Sequence, residues 1–229
     1  MQTITLMVDS ASRPDLLKIT VESLRKNLKC SSPIRWMFHE AVLNEDLSNQ
    51  CLEYINSLGM FEVIHKQHNP QGEMVSIGTM LEKVNSPYFI HFEDDHELVR
   101  ELDLDLCVDI FEKCPKVNQI AFNKRQTMSD VSGWNKKEVE YEGYKLTTSP
   151  HWRISPAIWR MSWIKPRWKS VKGNNGHWLM NDILQQAWKG RPETKTADSV
   201  IEVLGTFYLG PIGEHAYVEH LGRYRSGRV

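Results

Sequence analysis

Between Ile4 and Phe92, short apolar runs alternate with amphipathic stretches, and this rhythm restricts the fold more than any other feature of the chain. Ile4-Thr5-Leu6-Met7-Val8 reads as a strand, and Asp9 to Pro14 follows it as a loop. Leu17, Val21, Leu24 and Leu28 then recur at helical spacing, with Ser12 placed to cap that helix and Pro14 suited to its first turn. The unit repeats as a strand over Ile34 to Phe38, a helix over Leu47 to Leu58, a strand over Phe61 to Ile64, a helix over Met74 to Val84 and a strand over Tyr88 to Phe92. Strands alternating with helices imply an α/β fold, a Rossmann-like and mainly parallel sheet flanked by helices.

In such sheets the crossover loops open a crevice at the carboxyl ends of the strands, and ligands bind there. Asp9, Glu40 and Glu93-Asp94-Asp95 all fall at those ends. A further helix over Leu102 to Lys113 leads through Pro115 to a strand over Gln119 to Asn123, after which the alternation stops. Ser129 to Gly143 reads as a polar loop or hairpin. Seven of the eight tryptophans lie in the second half, which points to different work for that half. With no repeat, low-complexity tract or linker, one domain over residues 1–229 is expected, with halves 1–97 and 98–229.

The charge balance of 28 lysine and arginine against 29 aspartate and glutamate gives no global field to attract nucleic acid or an anionic membrane. No run approaches the roughly 20 apolar residues of a membrane helix, so no integral membrane segment is expected. Cys30, Cys51, Cys107 and Cys114 lie far apart with no C-x-x-C pair, and the start lacks a secretory signal pattern. Reduced thiols and a cytoplasmic location follow as expectations.

The chemistry concentrates where the buried-looking strand Tyr88 to Phe92 runs into Glu93-Asp94-Asp95-His96-Glu97. Adjacent carboxylates repel unless something positive sits among them, and Mg or Mn takes carboxylate oxygens while keeping positions for water and phosphate oxygens. The alternative for this stretch is a solvated acidic loop. Histidines occur in near pairs (His65 with His68, His91 with His96, His215 with His220), but none has an H-E-x-x-H frame or cysteine partners. The deaminase, P-loop and nucleophile-elbow motifs are also lacking.

An apolar strand ending in an acidic triplet of D-x-D type resembles the metal-binding motif of GT-A glycosyltransferases. Val8-Asp9-Ser10-Ala11-Ser12-Arg13-Pro14 with its leucine-rich helix is similar to the opening strand, loop and helix of the family-two-like members. Asn69-Pro70-Gln71-Gly72 with the following helix is similar to the segment ahead of their metal motif. The resemblance implies a single GT-A-like domain whose half 1–97 binds a nucleotide and whose half 98–229 shapes the acceptor side. It also implies a metal-dependent, inverting transfer of sugar from a UDP- or GDP-linked donor to an unidentified acceptor hydroxyl. By the same resemblance Asp9, Ser10, Arg13, Glu40, Asn69, Gly72 and Asp94 fall to the nucleotide sugar. Glu93 and Asp95 fall to the metal.

Tyr217-Val218-Glu219-His220-Leu221-Gly222 resembles the late histidine segment of the family, which makes His220 a ligand of metal or diphosphate. Arg223 and Arg225 follow it, and guanidinium forks suit diphosphate oxygens. Gly176 to Leu184 resembles the segment bearing the catalytic base, with Asp182 in the base position and Asn181 where the family has a first acid. The tryptophans offer either flat faces for sugar rings or simple core. Arg160 is either a site residue or a surface charge. Two other readings stay open: a nucleotidyltransferase, although the Asp9 to Pro14 loop has no glycine, and a non-catalytic sugar-binding or scaffold protein, which Asn181 favours.

Overall fold

The computed structural model describes residues 3–68, 73–122, 137–168, 182–185, 187–190, 196–212 and 215–221. The expected alternation is present as β1 (Ile4–Ser10), α1 (Pro14–Asn27), β2 (Leu28–Lys29), β3 (Ile34–Val42), α2 (Glu45–Leu58), β4 (Phe61–His68), α3 (Glu73–Glu82) and β5 (Tyr88–Glu93). Two short strands, β6 (His96–Leu98) and β7 (Leu102–Asp103), precede α4 (Leu104–Lys113) and β8 (Gln119–Ala121). Then come β9 (Glu138–Tyr141), β10 (Tyr144–Ser149), β11 (Ala157–Arg160), α5 (Met161–Trp168), α6 (Ala197–Leu204), β12 (Thr206–Leu209) and β13 (Val218–His220).

Nine strands form one sheet in the order β4-β3-β1-β5-β11-β8-β12-β10-β9. The parallel expectation holds for β4, β3, β1 and β5. Past β5 the sheet is mixed, because β11 inserts antiparallel to both β5 and β8 while β12 runs parallel to β8. The sheet therefore runs without a break from the first half of the sequence into the second. β9 and β10 form a hairpin that turns at Glu142 and Gly143, where the stretch expected as loop or hairpin ends, and residues 129–136 of that stretch lie outside the described residues.

Two apolar layers cover the sheet. Ile4, Leu6, Val8, Phe38, Ile90 and Phe92 point to one side, where α1, α2 and α4 bring Leu17, Val21, Leu24, Cys51, Ile55, Ile110 and Phe111. Met7, Met37, Phe89, Trp159 and Tyr208 point to the other, beneath α3, α5 and α6. This is the period-2 alternation of a strand buried on both faces. Trp152, Trp159, Trp168 and Trp188 are all buried in the second layer, so these indoles are core rather than open stacking faces for a sugar. Arg160 is likewise structural: its guanidinium donates to the carbonyls of Phe111, Cys114 and Val117 and ties β11 to the end of α4.

Ser12 does not cap α1. Its backbone lies at φ 57°, and its hydroxyl instead accepts from Leu43 N and Asn44 N at 3.0 Å each, joining the β1–α1 loop to the β3–α2 loop. The cause is Glu40, whose Oε1 takes the Ser12 N–H at 2.9 Å and thereby turns the loop away from a capping conformation.

Gly205 ends α6 at φ +60°, and a Cβ there would meet the Lys116 carbonyl oxygen at 2.1 Å. Gly59 ends α2 at φ +64° with nothing near. Gly205→Ala combines left-handed strain with a backbone clash, so we expect a loss of about 2–3 kcal/mol, or a melting temperature lower by roughly 5–10 °C. Gly59→Ala carries the strain alone and should cost about 1 kcal/mol. Thermal denaturation of both variants checks the difference, and equal losses would remove the clash from the account.

Candidate active site

Because side chains alternate along a strand, each pair of neighbours at the carboxyl edge divides between the two faces. Asp9, His39, His65 and Glu93 form a cross-strand row on the α3 side, in register Glu93↔Asp9↔His39↔His65. Ser10 and Glu40, also in register, lie on the α1–α2 side.

On the α3 side, Asp9 Oδ1 lies 2.6 Å from His39 Nδ1, and His39 Nε2 lies 2.9 Å from Gln67 Oε1, which also accepts from Ser76 Oγ at 2.9 Å. The Asp9 carboxylate accepts, so Nδ1 of the buried His39 donates to it. Burial draws its pKa down, but the bonds to Asp9 and Gln67 outweigh it and leave the pKa above the ordinary 6.5. His65 stacks on His39 at 5.3 Å between centroids, and burial followed by the charge on His39 lowers its own pKa. A group whose pKa is higher folded than unfolded stabilises the protein fully below the unfolded value, and that contribution fades as pH rises through the folded value. We therefore expect the denaturant midpoint of the wild type to fall as pH rises from 6.5 through the raised value of His39, and His39→Gln to lack that step. A parallel fall in both proteins would dismiss the pair.

Glu40 is fully buried. Its Oε1 serves Ser12 N, Ser12 Oγ and Ser48 Oγ, and its Oε2 makes no hydrogen bond. It thus shapes the loop that carries Arg13. Ser10, also buried, lies 3.8 Å from Cys51 Sγ through its hydroxyl. All four cysteines are free thiols.

The acidic triplet sits on the turn between β5 and β6. Asp94 N donates to Asp9 O at 2.8 Å, Thr20 Oγ1 donates to Asp94 O at 2.7 Å, and Glu93 N donates to Ser155 Oγ at 3.1 Å. The Asp94 side chain is fully buried and gripped by Arg13, with Nε on Oδ2 at 3.1 Å and Nη2 on Oδ1, while Ala11 N reaches Oδ2 at 3.2 Å. Burial pushes the Asp94 pKa up to about 6 against the pull of Arg13, Ser10 and Ala11, so it is ionised at neutral pH. Arg13 Nη1 also holds Asp95 Oδ2 at 3.0 Å.

His220 arrives because β13 pairs antiparallel with β6 and sets His220 opposite His96, while Leu221 N donates to Asp95 O at 2.7 Å. The two imidazoles stack at 5.0 Å, and His220 Nε2 lies 3.2 Å from Asp95 Oδ2. His96 Nδ1 lies 3.4 Å from Asp95 Oδ1 and Glu93 Oε2, yet it and Asp95 Oδ1 are buried without a hydrogen bond. Burial, offset by Asp95, lowers the His96 pKa to about 4, which keeps the ring neutral and ready to ligate. Asp95, His96 and His220 each offer one donor atom, all within 4.8 Å of one another. One carboxylate and two imidazoles gathered this closely form a donor set that fits a divalent ion, which would draw them nearer together. Two imidazoles beside one carboxylate suit a first-row transition ion better than Mg.

The structure therefore brings together Asp9, Arg13, Glu93, Asp94, Asp95 and His220 at one edge of the sheet. His96 is missing from the sequence expectation. The signal was its place directly after the triplet, but its partner His220 lies on a strand whose pairing no local pattern reveals. Asp182 is half-buried in a helical turn over residues 182–185, where Ile183 enters the α3-side core. Asn69, Gly72, Arg223 and Arg225 lie outside the described residues.

No described helix is long and apolar enough to cross a membrane. No family model matches the chain, and no curated protein matches it. Its structure is similar to that of mannosyltransferase PcManGT from Pyrobaculum calidifontis, solved with GDP-Man and Mn2+, at TM-score 0.58 and 10% identity over 90% of this chain. It is similar to S. aureus TarS 1-349 with UDP-GlcNAc at TM-score 0.53 and 14% identity over 100% of this chain. GalNAc-T7 with UDP, GalNAc and Mn2+ gives TM-score 0.61 and 12% identity over 91% of it. The chain spans 56%, 62% and 42% of those three chains. At such identities the likeness shows the fold, a GT-A-like α/β domain.

Proposed function

We propose that this GT-A-like domain is a metal-dependent glycosyltransferase that moves a sugar from a nucleotide-diphosphate donor to an acceptor hydroxyl with inversion. The observation that carries the reading is the meeting of Asp95, His96 and His220 with Arg13 at the carboxyl edge of a sheet of this fold. The neighbours solved with GDP-Man, UDP-GlcNAc or UDP support a nucleotide-sugar ligand, and two of them were solved with Mn2+.

Asp95, His96 and His220 would hold the divalent ion, with the Glu93 carboxylate, 3.4 Å from His96 Nδ1, as a further acid beside it. When bound, the ion supplies positive charge against the diphosphate as it leaves. Asp9 and the β1–α1 loop, with Ser10 and Arg13, bound the nucleotide side, and Asn69, Gly72, Arg223 and Arg225 keep the assignments made from the sequence. Asp182 accepts the proton of the acceptor hydroxyl as its oxygen attacks the anomeric carbon. The bond from that carbon to the diphosphate breaks, its electron pair leaves with the nucleotide, and configuration inverts in the single displacement.

Calorimetric titration with UDP, GDP and their sugars, with and without Mn2+, tests the reading. Binding of one nucleotide that depends on Mn2+ is expected and identifies the donor base. Absence of metal-dependent binding for every nucleotide would turn the assignment toward a non-catalytic sugar-binding or scaffold protein.

A further inference from the structure

The acidic turn already carries a cation of its own. Arg13 reaches in from a position where its side chain is 39% exposed and spends Nε and Nη2 on Asp94 and Nη1 on Asp95. Asp95 Oδ2 is consequently shared between the guanidinium at 3.0 Å and His220 Nε2 at 3.2 Å. That carboxylate is also the sole acidic member of the Asp95, His96 and His220 set. A guanidinium cannot shed its proton, so its charge persists at any working pH. Two cations at one carboxylate repel across a few ångströms in surroundings poorer in water than bulk. Asp94, by contrast, is fully buried and engaged on both oxygens, so it stays with Arg13 whichever ion holds Asp95.

We infer that Arg13 is a resident counter-ion that competes with the divalent metal for Asp95, and that the diphosphate relieves the competition by drawing the Asp95-facing N–H groups of Arg13 onto its own oxygens. Metal alone then binds weakly and nucleotide alone binds weakly, while the pair binds together, because the anion supplies the charge that lets both cations stay. The coupling is reciprocal: whatever factor the nucleotide adds to metal affinity, the metal adds to nucleotide affinity. The mobile part of the device is the end of one side chain, and the loop beneath it is pinned by Glu40 through Ser12. The inference rests on the metal and nucleotide assignment above.

The test is Mn2+ binding to the whole chain at pH 8, followed by the paramagnetic resonance of free Mn2+, first with metal alone and then with the nucleotide diphosphate that calorimetry selects. Arg13→Gln keeps a hydrogen-bonding end without charge and is expected to bind Mn2+ alone at least ten-fold more tightly than wild type. It should also bind the diphosphate at least ten-fold more weakly when Mn2+ is present. Arg13→Lys keeps the charge and should leave the affinity for Mn2+ alone near that of wild type. If Arg13→Gln binds Mn2+ alone no more tightly, or less tightly, Arg13 is a brace for the turn and the inference is overturned. Should Arg13→Gln not fold, Arg13→Lys with Mn2+ affinity raised ten-fold would overturn it equally, since charge would then not be the cause. Wild-type chain that binds no nucleotide with Mn2+ marks a failure of the functional assignment. The comparison with Mn2+ alone still decides whether Arg13 opposes the ion.

Discussion

Asp95→Asn is expected to fold like the wild type and to lose Mn2+-dependent nucleotide binding, with transfer lower by on the order of 10³-fold. The size follows from what the proposal asks of the carboxylate: it is the one acidic donor among the three side chains assigned to the metal, and its Oδ2 also meets Arg13 and His220. An amide in its place offers a weaker donor and leaves the two imidazoles without an anionic partner for a divalent ion. The fold should survive because the turn is held through the backbone, by Asp94 N to Asp9 O and Leu221 N to Asp95 O, and neither bond uses the Asp95 side chain. A melting temperature near wild type together with absent Mn2+ response is the expected pair of readings. Transfer that persists at wild-type rate in Asp95→Asn would remove Asp95 from the reaction.

Asp182→Asn should show the opposite division, sparing donor and metal binding while lowering the turnover number by about 10²–10⁴-fold, the range that a positioned general base supplies. Its neighbour Ile183 is buried in the core beneath α3, together with Met7, Met37 and Phe89. The strand alternation that sends those residues to that face sends Asp9, His39 and Glu93 there as well. Asp182 is thus carried by a turn anchored to the side of the sheet that bears Asp9, His39 and Glu93. Single-turnover measurements with saturating donor separate the chemical step from binding. Donor affinity lost in step with turnover would move Asp182 from proton transfer to donor binding.

The first half of the fold was legible because βα units write themselves locally: the apolar run, the loop and the helical stripe adjoin in sequence. The strands β1, β3, β4 and β5 needed no distant information, whereas β2, which takes Leu28 out of the expected helical stripe, forms by pairing with the remote β7. The place of β11 did need it, since nothing in Ala157-Ile158-Trp159-Arg160 tells that it enters between β5 and β8 and runs against both. Ser12 misled for a related reason. Its sequence position suits a helix cap, but Glu40, brought alongside by strand pairing, claims its N–H first. The acidic triplet could be found from one strand, whereas His96 became meaningful once β13 laid His220 against it. The tryptophans were undecidable by composition, because an indole suits a sugar face and a core equally well, and burial between sheet and helices resolved Trp152, Trp159, Trp168 and Trp188.

The pairing of β13 with β6 also bears on how the molecule comes into being. A contact between residues so distant along the chain carries a large loop-closure cost and forms late, after the local βα units. A ribosome releasing this polypeptide would thus expose the acidic turn with Arg13 already beside it long before His220 emerges. The acidic turn is therefore laid down before the strand that brings His220 to Asp95 and His96 can pair with it.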